Sequence, residues 1–268
     1  MVDYVKPPDL VRTVVEVGRA KGELSVGQML VRGFLSGAFL GYATSLAFLA
    51  WATGSPRVVG GIIFPLGFVL QALLACELAT GNFAIVPMAV YARQTTLAKM
   101  LRNWFWSYVG NLIGGVTYAF LFVAVYMQFW VSDGGSVGKL TMDIALRKTL
   151  GYASLGMLGW QAAMVSGVLC NWMVTLAAVM GFASTSLIGK TVVMWLPIFT
   201  FFTLGYEHSI VNTFVIPAGM FFGAPITIAD WWIWNQIPVT IGNIIAGLTF
   251  TGGMLFYAHY VPSPEKRS

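Results

Sequence analysis

The sequence predicts an all-α integral membrane protein of six crossings, built as an inverted repeat of three helices with discontinuous crossings 2 and 5. Three observations predict it. The chain of 268 residues is 57% hydrophobic and only 9% charged, with a mean hydropathy of +0.77, whereas a soluble domain carries roughly 25% charged residues. Six apolar runs reach or exceed the ~20 residues that cross a bilayer. Two of those runs are over-long and carry polar interruptions, Glu77–Asn82 and Glu207–Asn212.

Residues 8–23 read as a short amphipathic helix with Asp9 as its N-cap. Leu10, Val14 and Val17 recur at helical spacing, with Arg12, Glu16 and Arg19 between them. Such a helix lies on the membrane surface or packs as an ordinary solvated helix on the bundle. The crossings follow at Gln28–Ala52, Val58–Tyr91, Trp104–Val131, Leu155–Phe182, Val192–Phe222 and Trp231–Tyr257. The domain plan is therefore an N-terminal segment 1–27, a pore domain 28–258 with repeats 28–131 and 155–257, and a tail 259–268. Loops are short except Ser132–Ser154, which suits a small external hairpin or helix.

Lysines and arginines in the loops set orientation. With the N-terminus inside, eleven fall on the inner side (Lys6, Arg12, Arg19, Lys21, Arg32, Arg93, Lys99, Arg102, Lys190, Lys266, Arg267) and four outside (Arg57, Lys139, Arg147, Lys148). Both termini are expected in the cytoplasm, at the cell (inner) membrane. The net charge of +5 reports this topology and not a nucleic-acid surface, since the basic residues share no soluble face. Cys76 and Cys170 both lie in apolar segments and offer neither a disulfide framework nor metal-ligand spacing. The polar N-terminus shows no signal peptide.

The chain repeats itself. Ser36-Gly37 and Leu46-Ala47 match Ser166-Gly167 and Leu176-Ala177. Asn82-Phe-Ala-Ile-Val-Pro87 matches Asn212-Thr-Phe-Val-Ile-Pro217, and Gly110-Asn111 through Gly115 matches Gly242-Asn243 through Gly247. The offsets are 130, 130 and 132. Each unit holds three crossings, an odd number, so the second copy inserts upside down. Paired broken helices then put a substrate path at the repeat interface. Ser36, Gly37, Gly41, Gly110, Gly114, Gly242 and Gly247 supply small-residue spacings for close helix contact.

An ionisable residue at bilayer depth is a functional candidate by default. His208 is one of two histidines, sits beside Glu207 and falls in an expected break, so it reads as a pore residue able to exchange a proton with a weak acid. Glu207 is either paired or protonated, since an unpaired buried carboxylate is too costly, or it caps or ties the broken backbone. Ser209 and Asn212 add polarity there, and Gly205 suits an interruption. In the first repeat Thr80 offers an uncharged hydroxyl, and Gly81 permits an unusual backbone angle. Asn171, inside crossing 4, ties helices together, touches substrate, or does both. No residue set suggests a metal or other cofactor.

These residues resemble the formate–nitrite transporter family. The resemblance is carried by Leu78-Ala-Thr-Gly-Asn82, Gly167-Val-Leu-Cys-Asn-Trp-Met-Val174, Gly205-Tyr-Glu-His-Ser-Ile-Val-Asn212 and Asn235-Gln-Ile-Pro-Val-Thr-Ile-Gly-Asn-Ile-Ile245, and it runs from about residue 8 to 258. It implies an aquaporin-like six-helix protomer in a homopentamer, embedded in membrane lipid, with one pore per protomer. It implies passage of small monovalent anions: formate, nitrite, hydrosulfide or short monocarboxylates; a hydrosulfide or bicarbonate pore of the same fold is the alternative, and proton coupling stays open. By motif match His208 is the central pore histidine, Thr80 its hydroxyl partner, and Asn171 and Glu207 polar neighbours. Two apolar constrictions map onto Phe64, Val174 and Phe201 outside and Phe68 and Leu78 inside. Family members often carry a lysine where this chain has Leu155. Either Arg147 or Lys148 substitutes for it, or anion attraction is weaker. Two other classes compete. An aquaporin-type channel for neutral solutes would need two Asn-Pro-Ala-like breaks and a mid-span arginine, both missing. A membrane enzyme or respiratory subunit would need more intramembrane histidines.

Overall fold

A computed structural model describes residues 3–260. Helix α1 (Pro7–Gly22) precedes the first crossing, α2 (Val26–Ala52). The second crossing is α3 (Arg57–Ile63) and α4 (Pro65–Leu73), then, after a break at 74–78, α5 (Ala79–Tyr91). The third is α6 (Leu97–Tyr126). Helices α7 (Gly135–Lys148) and α8 (Leu150–Ala153) fill the long connection, as the expected external helix. The second repeat holds α9 (Met157–Met180), the pair α10 (Leu187–Leu204) and α11 (Ser209–Phe221) around a break at 205–208, and a last crossing from Ile228 to His259. That last crossing runs α12 (Ile228–Trp231), a π-helical turn (Trp232–Gln236), α13 (Ile237–Ile245), a second π segment (Ala246–Gly253) and α14 (Met254–His259). Five helices are long and apolar enough to cross a membrane, and Arg57–Leu73 and Ser209–Phe221 are shorter apolar pieces. The expected tail at 261–268, with Lys266 and Arg267, lies outside the described residues.

Local chemistry explains most helix starts. Ser25 and Gln28 form a reciprocal capping box on α2. Thr96 and Ser186 cap α6 and α10. At α1 the expectation fails: Lys6 is the N-cap and Pro7 and Pro8 open the helix. Proline needs no N–H partner there and its φ is already helical. Asp9 sits one turn in and binds Arg12 at 3.2 Å. The helix packs on the bundle, with Val11, Val14 and Val15 buried against Ile85, Met88 and Val179. Leu10 and Val17 only flank that contact.

Both breaks fall earlier than the polar motifs suggested. Residues 79–82 and 209–212 are helical, so the polar stretches begin the second half-helices and do not interrupt them. Gly81 is helical. The left-handed backbone belongs to Ala75, at φ 51°, and to Gly205, at φ 78°, two residues exactly one repeat offset of 130 apart.

The small residues do what their spacing predicts. A Cβ at Gly37 would sit 2.2 Å from the Asn111 carbonyl oxygen, and one at Gly114 would sit 2.0 Å from that of Phe34. The second repeat answers with Gly242, 2.0 Å from the Met164 carbonyl oxygen, and Gly167, 2.7 Å from that of Val239. Backbones of α2 and α6, and of α9 and α13, therefore meet without side chains between them. This close pairing of long helices frames the two broken ones.

Candidate functional site

Half-helices α5 and α11 each begin at the centre of the bundle, so their first N–H groups need partners. Asparagines from crossings 3 and 6 supply them. Asn111 Oδ1 accepts from Ala79 N at 2.9 Å, while its Nδ2 donates to the carbonyls of Glu77 (2.8 Å) and Gly33 (2.9 Å). Asn243 Oδ1 accepts from Ser209 N at 2.9 Å, and its Nδ2 donates to the carbonyls of Glu207 (3.2 Å) and Gly167 (2.8 Å). Each side chain thus holds the peptide groups on both sides of one residue, Leu78 in the first repeat and His208 in the second.

The glutamates before those residues are buried and paired. Glu77 Oε1 takes Lys21 Nζ at 2.6 Å, and its Oε2 accepts from Asn82 (2.7 Å) and Asn103 (3.2 Å). Glu207 Oε2 takes Lys148 Nζ at 2.8 Å and accepts from Asn212 (2.8 Å) and Asn235 (3.2 Å). Asn103 also reaches the Lys21 carbonyl, and Asn235 the Lys148 carbonyl. The two clusters correspond residue for residue, with the lysine on the other carboxylate oxygen from the asparagines in the first and on the same oxygen in the second. A buried carboxylate survives only with such partners. Around Glu207, Tyr152 adds a hydrogen bond to Oε1 at 3.1 Å and Ser166 Oγ accepts from Glu207 N. Burial, and then the neighbouring carboxylate, push the Tyr152 phenol up, so it donates.

Lys148, one of the two basic residues weighed against Leu155, is the cation paired with Glu207. Leu155 stands 60% exposed at the approach to α9, and the cation beside Glu207 comes from the C-terminus of α7. Sequence reading left the Glu207 partner unnamed and missed the Lys21–Glu77 pair, Asn103, Asn235 and the two clamping asparagines. The repeat offset could have found most of them: Glu77 and Glu207 lie 130 apart, and Asn103 and Asn235 lie 132 apart.

His208 is the N-cap of α11, and its Nδ1 accepts from Val211 N at 3.1 Å. A ring nitrogen that accepts a backbone N–H carries no proton, so the neutral ring bears its proton on Nε2. Nε2 lies 3.0 Å from Thr80 Oγ1. Thr80 accepts from the ring, which leaves the hydroxyl hydrogen free to donate elsewhere. The expected pairing of His208 with Thr80 is therefore present. Asn171 Nδ2 donates to the carbonyls of Thr80 (3.1 Å) and Asn243 (2.7 Å). It is a tie between the repeats, while its Oδ1 and that of Asn212 are buried without a partner.

Two cavities approach this centre from opposite ends. One, the outer one in the expected orientation, of about 700 Å³, is lined by Phe201, Phe202, Glu207 and His208, with Arg57, Arg147 and Lys148. The other, the inner one in that orientation, of about 340 Å³, is lined by Phe68, Leu78, Cys76 and Glu77, with Lys21 and Arg32. The Phe201 ring lies 5.7 Å from the imidazole, nearly parallel to it. Phe64 stacks on Phe202 at 3.8 Å and meets Phe201 edge-on at 5.7 Å. Phe64 and Val174 are themselves buried, as are Phe68 and Leu78. Phe202, which sequence reading did not single out, lines the outer cavity beside Phe201. No cluster of three or more His, Cys, Asp or Glu residues able to hold a metal occurs among the described residues.

The sequence model of the formate/nitrite transporter family matches residues 8–257. A probable formate transporter of Methanothermobacter thermautotrophicus is 33% identical over 271 residues, covering 96% of this chain and 97% of its own. A formate channel of Bacillus thuringiensis is 34% identical over 262 residues, covering 94% and 95%. Among solved structures, a pentameric formate channel with formate bound superposes with a TM-score of 0.73 at 26% identity, covering 88% of this chain and 98% of that one.

Proposed function

The chain belongs to the formate/nitrite transporter family, and from that premise we propose a pore for small monovalent anions of weak acids, of the formate class. It is a multi-pass membrane channel and not an enzyme, and it assembles as a homopentamer in which each protomer carries its own path. We place it in the cell membrane with both termini cytoplasmic, on the excess of lysine and arginine on one side. The N-terminal segment 1–27, the pore domain 28–258 and the tail 259–268 follow that plan.

One observation carries the reading. Two cavities with cationic side chains approach the centre, one bounded by Phe201 and His208 and the other by Phe68 and Leu78, and Thr80, hydrogen-bonded to His208, lines neither. Arginine and lysine at each mouth concentrate anions there. Phe201 with Phe64 outside, and Phe68 with Leu78 inside, form dry gates, and Val174 packs behind the outer one. An ion loses its water in such a gate, and low dielectric favours the neutral acid. The Thr80 hydroxyl and the His208 Nε2–H are the donors that meet the solute between the gates. The neutral ring lends its Nε2–H to a formate-class anion as a hydrogen bond; the proton that makes the neutral acid comes from water in the vestibule and returns to water when the acid ionises on the far side. Glu207 with Lys148 and Asn212 holds the break open. Asn171 keeps Thr80 and His208 in register.

The test is formate flux into proteoliposomes, with and without a pH gradient. His208→Phe keeps a planar ring and removes the donor, and is expected to lower flux and flatten its pH dependence. Unchanged flux and pH dependence would remove the histidine from the permeation step.

A further inference from the structure

His208 can lend its Nε2–H only if its ring presents one defined nitrogen to Thr80. Within the ring's own helix, one contact decides this. A single hydrogen bond, from Val211 N to Nδ1 at 3.1 Å, selects the tautomer. It exists only while the backbone at residue 208 keeps its extended cap conformation, φ −114° and ψ 115°. The residue stands in a break, with no helical hydrogen bonds of its own on the N-terminal side. Something outside the break must hold that backbone.

The geometry points to Asn243 as that positioning residue. Its amide spans His208, with the Glu207 carbonyl at one end (3.2 Å) and the Ser209 N–H at the other (2.9 Å). Both peptide groups flanking the histidine are thereby fixed, and with them the direction of the imidazole. The second Nδ2 contact, to the Gly167 carbonyl at 2.8 Å, anchors the clamp to α9. That helix also carries Asn171, whose Nδ2 holds the carbonyl of Asn243 itself and that of Thr80. A single covalent and hydrogen-bonded chain, Thr80–Asn171–Asn243–His208, thus sets the 3.0 Å spacing across which Nε2 and Oγ1 meet. Asn243 is fully buried and lines neither cavity, so it acts through His208 and does not touch solute. The inference deepens the proposed permeation role of His208 and rests on it for its functional meaning.

The molecule contains its own control. Asn111 makes the same three hydrogen bonds around Leu78, where no tautomer exists to be chosen. Loss of either asparagine removes an equivalent structural tie, but only loss of Asn243 should reach the imidazole.

The chain has two histidines, so nitrogen-15 histidine labelling reports two rings of two nitrogens each, and His259→Gln assigns them. Solid-state nuclear magnetic resonance of the pentamer in liposomes then reads the tautomer directly. In the parent protein His208 is expected to show one protonated nitrogen, Nε2, and one bare nitrogen, Nδ1. Asn243→Ala is expected to give mixed tautomers, whereas Asn111→Ala keeps the parent pattern. Saturating formate flux should fall about tenfold in Asn243→Ala at little changed KM, since misplacement weakens a step and not an encounter. Should Asn243→Ala yield no folded pentamer, Asn243→Ser, too short to span both sides, gives the same reading. A parent-like tautomer in folded Asn243→Ala or Asn243→Ser overturns the assignment, as does equal mixing in Asn111→Ala. A changed tautomer with unchanged flux leaves the positioning role standing and removes the histidine from permeation, so the two failures are separable.

Discussion

The break at 74–78 and the break at 205–208 are nearly the same device used twice. Each has a left-handed residue, Ala75 or Gly205. Each has a buried glutamate held by one lysine and two asparagines, and an asparagine clamp from the following long helix. They differ at the clamped residue: Leu78 in one, His208 in the other. They differ again two positions on, where Thr80 faces Ile210 in the repeat alignment. The shared parts are those that keep polar backbone alive inside a bilayer, where an unsatisfied group costs several kcal/mol. The unshared parts are the ones that offer a proton. Scaffold was thus kept in both copies while chemistry was divided between them, and the two halves of the chemistry touch only because the copies interlock.

If that division is right, equivalent scaffold changes should cost alike in stability and unlike in transport. The largest effect is expected from the glutamates. Glu77→Ala and Glu207→Ala each leave a half-buried lysine and two buried asparagines without their partner, a loss of roughly 3 kcal/mol. Unfolding of the purified pentamer in detergent should show the two losses within about 1 kcal/mol of each other. A twofold or larger difference in cost would mean that the clusters are not equivalent supports.

Next come the close backbone contacts. Gly37→Ala and Gly242→Ala would push a methyl to 2.2 and 2.0 Å from a carbonyl oxygen, an overpacking of about 1–3 kcal/mol. Similar losses of stability with retained flux per folded pentamer would place both glycines in the frame. A selective flux defect in one alone would break the comparison.

The smallest effect concerns a feature with no mirror image. Asp3 pins the chain before α1 to the turn before α10. Its Oδ1 accepts from Ser184 Oγ at 2.6 Å and from the N–H groups of Thr185 and Ser186 at 2.7 Å. The Ser184 hydroxyl above all, and then the Ser186 amide, hold the carboxyl below its ordinary value of 3.8. A lowered value means that the ionised form favours the pinned state. This contribution is present above the ordinary value and fades as pH falls through the lowered one. Protection factors at Thr185 and Ser186, corrected for intrinsic exchange, should therefore fall as pH drops from 5 to well below 3.8, and Asp3→Asn should show the lower protection throughout. Equal protection at the two pH values would show that the turn holds without the carboxylate.

Much of this architecture is legible in the order of residues. The six crossings follow from run length against bilayer thickness, because hydrocarbon leaves the backbone no alternative to helix. The inversion follows from an odd number of crossings per repeat. Gly37, Gly114 and Gly242 mark close contacts because only a missing side chain allows them, and His208 stands out because a titratable ring at that depth has few structural reasons to exist. All of these are local or periodic properties, and each residue carries its own evidence. The cap of α1, the true edges of the breaks and the left-handed Ala75 were less legible, since each depends on a competition between neighbouring residues for the same backbone groups.

What only the tertiary structure decided is partnership. Lys148 reaches Glu207 across 59 positions and Lys21 reaches Glu77 across 56, and Thr80 meets His208 across 128. Spacing along the chain does not encode such pairs, because their geometry comes from two inverted repeats folding into one another. The same interlocking brings Lys148 to Glu207 and makes Asn243, a repeat marker in the sequence, the clamp on the peptide groups around the histidine. Sequence determines which groups are too costly to leave alone in a membrane; the fold decides which other groups relieve them.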